Sequence, residues 1–142
     1  MYKIKRSFDF PMSHRLSKHT EKCKNLHGHN FKVTVCVQSE TLDKNDMVMD
    51  FSDLKEVLKP IEDSFDHAMV LNQTDIQLKK NVEACLEGSK IVLFPYDPTA
   101  EKLAEGIFKT IDLYFDSIAS DISVDYVEVF ENERSSAIYN GD

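Results

Sequence analysis

The segment His27-Gly-His-Asn-Phe-Lys-Val-Thr-Val-Cys-Val-Gln38 decides how the chain is read. Phe31, Val33, Val35 and Val37 alternate with Lys32, Thr34, Cys36 and Gln38, the period-2 pattern of a strand with one buried face. Turn-forming residues from Thr41 to Asn45 end it. Upstream, Tyr2, Ile4, Phe8 and Phe10 alternate with Lys3, Lys5, Ser7 and Asp9, broken only by Arg6, and predict a first half-buried strand that ends before His14. Downstream the period becomes helical. Phe51, Leu54, Val57, Leu58, Ile61 and Phe65 share a stripe behind Asp50 or Ser52 as N-cap, and Pro60 is expected to kink or split this helix.

Between Asn72 and Tyr96, Lys79 to Leu86 reads as a short helix closed by Gly88, and Ile91 to Phe94 as a short buried strand. Asp97-Pro98-Thr99 then opens a second long helix with the stripe Leu103, Ala104, Ile107, Phe108, Ile111, Phe115 and Ile118. Two closing strands, Val124 to Glu131 and Ser136 to Tyr139, flank a polar hairpin turn. The order β-β-α-α-β-β, with an insert at about 73–97, predicts an α+β fold in one domain, 1–142. Two long helices would cover one face of a four-stranded antiparallel sheet.

Composition bounds the function classes. A chain of 142 residues, 42% hydrophobic with four Gly and four Pro, excludes disordered, collagen-like and multi-domain readings. A fold of this size buries roughly 68–70% of its unfolded surface and needs no disulfide staples. Its three cysteines cannot all pair, and the Met-Tyr-Lys-Ile-Lys start is no apolar signal, so a reducing cytoplasm with free thiols is expected. No apolar run suits a membrane span. Net charge is −8 and the 17 Lys and Arg are scattered, which argues against a nucleic-acid partner.

Reactive side chains cluster around the opening segment. His27 and His29 stand at i and i+2 of a strand, on one face and about 6.6 Å apart along it. Gly28 between them permits close backbone approach. His14 offers a third imidazole if the first two strands pair. Three His with an open position is a catalytic zinc arrangement, and a turn with solvated imidazoles is the alternative. Cys23, four residues before His27 among lysines, is either a thiol with a lowered pKa able to act as base or nucleophile, or a packing residue like Cys36 and Cys85. Asp66-His67 is a proton relay only if the fold turns the two side chains together; otherwise it is a solvated pair at a helix end. Glu131 ends an apolar strand face, and its carboxylate can accept two parallel N–H bonds from a heterocycle.

Taken in order, Phe10-Pro-Met-Ser-His14-Arg-Leu, Cys23-Lys-Asn-Leu-His27-Gly-His29-Asn-Phe, Met49-Asp-Phe51-Ser-Asp-Leu-Lys55, Asp66-His67 with Leu71-Asn72, Pro98-Thr-Ala-Glu101 and Glu131 resemble the 6-pyruvoyltetrahydropterin synthase and 6-carboxytetrahydropterin synthase family. The match runs almost end to end. The three residues between Cys23 and His27 resemble the bacterial 6-carboxytetrahydropterin synthases of queuosine biosynthesis. The resemblance implies the tunnelling fold, with subunits joined edge to edge, typically as a homohexamer whose active sites lie between subunits. It implies Zn2+ held by His14, His27 and His29, Cys23 as general base, Asp66 and His67 as proton relay, and Glu131, with Thr99 nearby, as the pterin anchor. The implied reaction is a lyase step. It converts 7,8-dihydroneopterin triphosphate to 6-carboxy-5,6,7,8-tetrahydropterin with release of acetaldehyde and triphosphate. The sister reaction forming 6-pyruvoyltetrahydropterin, and a non-catalytic zinc- or pterin-binding protein, are the alternatives. The chain departs from the family pattern at Met12, in one extra residue within Asp66-His67-Ala-Met-Val-Leu-Asn72, and in the longer stretch from Gln73 to Asp97.

Overall fold

A computed structural model describes residues 1–142. The elements are β1 (Tyr2–His14), a 3-10 turn (Lys22–Lys24), β2 (His27–Ser39), α1 (Phe51–Phe65), β3 (Ala68–Asn72), α2 (Ile76–Cys85), β4 (Ile91–Phe94), α3 (Ala100–Ser117), β5 (Ser123–Asn132) and β6 (Ser135–Tyr139). They form one six-stranded sheet in the order β4-β3-β1-β2-β5-β6. The α+β class and the antiparallel β1-β2-β5-β6 core agree with the sequence reading, but the four-stranded antiparallel sheet is corrected to a six-stranded mixed one. β3 pairs in parallel with β1, and β4 in parallel with β3.

The central hairpin is in unbroken register from Tyr2↔Ser39 to His14↔His27. β1 therefore runs four residues past Phe10, and His14 is its last residue rather than a loop residue beyond it. Phe8, Phe10 and Met12 on β1 face the same side as Phe31, Val33 and Val35 on β2, and that side is covered by α1 and α3.

Asp50 caps α1, its side chain accepting the Ser52 N–H at 2.7 Å. Leu54, Leu58, Ile61 and Phe65 are buried against the sheet, whereas Phe51 at the first position is exposed. Pro60 does not split the helix. It lies on the solvent side, where the carbonyl that loses its partner can bond to water. In α3, Leu103, Ala104, Ile107, Phe108, Ile111 and Phe115 are buried as the stripe predicts, but Ile118 is the C-cap residue and exposed. No helix is long and apolar enough to cross a membrane.

Residues 73–97 do contain a short helix, at Ile76–Cys85 rather than from Lys79 to Leu86, and the strand Ile91–Phe94, but this edge strand is half-buried with Leu93 exposed, not buried as expected. The strand lengthens the sheet beside β3, an element absent from the sequence reading. It brings Asn72, just before the insert, and Asp97, at its end, into hydrogen-bonding contact.

Candidate metal centre and active site

The three imidazoles meet at one end of the central hairpin. His14 lies directly across from His27, and His29 across from Met12, so all three project to the helix-covered face. Their metal-binding atoms lie within 4.8 Å of one another. His14 is fully buried, stacked edge-on to His27, His29 and Phe31. Gly28 is required here because a Cβ would stand 3.0 Å from the Met12 carbonyl oxygen on the paired strand.

Backbone carbonyls set the tautomers. His14 Nδ1–H donates to Pro98 O at 2.8 Å, and His27 Nδ1–H donates to Asn25 O at 2.7 Å. Both Nε2 atoms are then lone-pair acceptors, and they face each other at 3.1 Å. Two such lone pairs repel unless a cation lies between them. Zn–N bonds of about 2.0–2.1 Å in a tetrahedron put neighbouring nitrogens roughly 3.3 Å apart, close to this separation. His29 Nε2 is buried without a hydrogen-bond partner, as a third ligand atom would be. Burial, partly offset by the Pro98 hydrogen bond, and the neighbouring His27 and His29 hold the His14 pKa below the usual imidazole value. The neutral, ligating form is thereby favoured. The residues present fit a divalent metal, and the donor set of nitrogens fits zinc.

Glu131 stands beside this cluster, its Oε1 3.9 Å from His14 Nε2. The β5–β6 register shifts between Phe130 and Asn132, so Glu131 is the extra residue of a β-bulge, a device that re-aims a side chain at a strand end. Thr99 caps α3, its hydroxyl accepting the Lys102 N–H at 3.2 Å. Thr99, Glu101, Glu131 and Ser135 line one cleft of about 310 Å³.

Asp66 and His67 do face each other. His67 has φ 57°, the left-handed region, and with that turn its Nδ1–H donates to Asp66 Oδ1 at 2.8 Å. The His67 side chain is largely exposed and that of Asp66 partly so. His67 and His29 line the same open cleft of about 490 Å³. Cys23 sits in the short 3-10 turn, half-buried, with its carbonyl accepting the Leu16 N–H at 2.9 Å. Its thiol is not among the clustered ligand atoms. A separate groove of about 490 Å³ between α1 and α3, lined by Phe65, Phe94, Tyr96 and Lys102, contains none of these residues.

Sequence reasoning missed Asp97. Its carboxylate is buried and accepts hydrogen bonds from Ser17 Oγ at 2.6 Å, Asn72 Nδ2 at 2.9 Å and the Lys18 N–H at 2.9 Å. The signal available was an acid in front of Pro98-Thr99, which reads equally as ordinary turn chemistry.

A mixed sheet under two long helices, with three convergent imidazoles at the end of its central hairpin and a carboxylate beside them, defines a tunnelling-fold protein with a metal-type site. The chain matches the family model for 6-pyruvoyl tetrahydropterin synthase over residues 3–142, and it belongs to that family. It is 38% identical over 117 residues to the 6-carboxy-5,6,7,8-tetrahydropterin synthase of Haemophilus influenzae, covering 78% of this chain and 82% of that one. It is 37% identical over 105 residues to the protein of the same name from Rickettsia felis, covering 73% and 75%. Among solved structures, an uncharacterised Wolinella succinogenes protein superposes with a TM-score of 0.83 at 22% identity, covering 99% of this chain and 98% of that one. The 6-pyruvoyl tetrahydropterin synthase of Caenorhabditis elegans does so with a TM-score of 0.70 at 21% identity, covering 99% and 96%.

Proposed function

We propose that this protein is a zinc-dependent 6-carboxytetrahydropterin synthase, a carbon-carbon lyase acting on 7,8-dihydroneopterin triphosphate in the queuosine branch of 7-deazaguanine biosynthesis. The observation that carries the reading is the facing pair of Nε2 acceptors on His14 and His27, each fixed by a carbonyl on its Nδ1, beside Glu131. The likeness to the 6-carboxy-5,6,7,8-tetrahydropterin synthases of Haemophilus influenzae and Rickettsia felis supports the product.

His14, His27 and His29 hold the metal, which when bound supplies Lewis acidity toward the oxygens of the substrate side chain. Glu131 accepts the paired N–H groups of the pterin ring and fixes its orientation, with Thr99 on the wall of the same cleft. Cys23, between Lys22 and Lys24, takes the side-chain proton as general base. Asp66 and His67 move protons between the substrate oxygens and solvent, the carboxylate orienting the imidazole through Nδ1. No redox cofactor is needed, because the oxidation levels of the products sum to that of the substrate and water. The outer edges of β4 and β6 are unpaired in the single chain, which supports edge-to-edge assembly into a homohexamer with sites between subunits. Free thiols and a nucleotide-derived substrate suit the cytoplasm.

Incubation of zinc-loaded protein with dihydroneopterin triphosphate tests this. Acetaldehyde and 6-carboxytetrahydropterin are expected, and Cys23→Ala should lose about 10³-fold or more in rate with zinc retained. Formation of 6-pyruvoyltetrahydropterin by mass spectrometry would assign the sister reaction instead. Bound pterin without turnover would identify a binding protein.

A further inference from the structure

We propose that Asp97 is a positioning residue that couples the imidazole triad to the segment carrying Cys23, an inference that rests on the metal centre proposed above. Three hydrogen bonds from two chain segments end on its carboxylate. Oδ1 accepts from Ser17 Oγ and Asn72 Nδ2, and Oδ2 accepts from the Lys18 N–H. Ser17 and Lys18 belong to the connection between β1 and β2, which also carries Cys23. The Leu16 N–H, bonded to the Cys23 carbonyl, draws that residue back toward the same point. Asn72 is the last residue of β3.

The fourth link runs through the backbone. The Thr99 N–H donates to the Asp97 carbonyl at 2.8 Å and closes a three-residue turn centred on Pro98, whose ring holds φ near the value such a turn requires. The carbonyl of Pro98 is the one that accepts from His14 Nδ1. One end of the turn is anchored by the Asp97 side chain, and the other by Thr99 as the cap of α3. An ion pair without hydrogen-bond alignment, Arg15 Nε 2.8 Å from Asp75 Oδ2, brings the same β1–β2 connection to the start of α2. Asp97 thus fixes both the carbonyl that orients a metal ligand and the segment that presents the base. A displacement of about 1 Å between such groups can cost roughly 10²-fold in rate.

An amide at this position cannot reproduce the pattern. Asparagine keeps one acceptor oxygen for Ser17 and Asn72 but turns an NH2 donor toward the Lys18 N–H, whereas alanine removes all three bonds. The test uses the full chain with Asp97→Asn, Asp97→Ala and Ser17→Ala. Its readouts are zinc affinity against a chromophoric chelator, the visible spectrum of the cobalt(II) form, and the alkylation rate of Cys23 relative to exposed Cys85.

Asp97→Ala is expected to weaken zinc binding by about 10- to 100-fold, shift the cobalt bands and raise Cys23 alkylation severalfold. Asp97→Asn should restore part of each, and Ser17→Ala should show the smallest change. Wild-type values in all three readouts would overturn the proposal, as would weakened zinc binding with Cys23 alkylation unchanged. If Asp97→Ala does not fold, the same criteria apply to the other two variants. His27→Ala separates the two readings: zinc retained in that variant defeats the metal centre, while Cys23 alkylation in Asp97→Asn still tests the coupling.

Discussion

The sheet centre and the α2–β4 extension are held together by different physics. α3 buries six side chains from Leu103 to Phe115 against strands whose inward residues are almost fully shielded. α2 buries only Val82, has no side-chain N-cap bond, and leaves Ile76 and Leu86 exposed. β3 itself buries Ala68, Val70 and Leu71 as the sheet centre does, but beyond it α2 and β4 are tied on chiefly by polar contacts: the parallel ladder of β3 and β4, the Arg15–Asp75 ion pair, and Asn72 on Asp97. Apolar burial stabilises the scaffold, and directional bonds place the groups around the site. The candidate metal centre lies at the seam, with His27 and His29 on the core hairpin and the carbonyl that orients His14 at the end of the extension.

The seam should give the largest effect. His27→Ala removes one of the facing nitrogens, and zinc content by atomic absorption should fall to near background with turnover abolished; undiminished zinc would sink the ligand assignment. Next comes the core. Phe115→Ala should cost about 3–5 kcal/mol in denaturant unfolding, because its neighbours on β5 and α3 cannot collapse into the space. In the extension, Val82→Ala should cost only about 1.5 kcal/mol, from two methyl groups, and leave zinc affinity unchanged. Equal losses at Phe115 and Val82 would mean that the two regions are stabilised alike.

The same division explains what could be read from the chain beforehand. Strands β1 and β2 and helices α1 and α3 were legible because each buries one face, so periodicity reports it. β3 was not: Ala68-Met-Val-Leu-Asn72 is a short apolar run directly after a helix, without alternation, and its pairing with β1 and β4 is between distant segments. Helix ends misled for a related reason, since Phe51 and Ile118 continue the period after the packing has stopped. At the site, the His triad follows from i, i+2 spacing and one hairpin. The Asp66–His67 contact depends on a left-handed φ at His67 that no spacing rule announces. Asp97 depends on donors about 25 and 80 residues away, a placement visible only once β3 and β4 pair.

The smallest effect, and the finest test of the polar extension, is acid stability. Burial by itself would raise the Asp97 carboxyl, but the hydrogen bonds from Ser17, Asn72 and Lys18 outweigh it and hold the group below the usual aspartate value. A carboxylate with a depressed folded pKa adds stability that is fully present above its unfolded value, about 3.9. That stability is lost as pH falls through the lower folded value. The stability difference between the wild type and Asp97→Asn, measured by urea unfolding, should therefore be constant from neutral pH down to about 5 and shrink below about 4. Lys59→Ala serves as a control, since its partner Asp63 is an exposed helix-surface carboxylate whose loss should change stability by less than about 0.5 kcal/mol. A wild-type advantage over Asp97→Asn that persists unchanged to pH 2 would show that the carboxylate charge is not what holds the Ser17, Lys18 and Asn72 contacts in place.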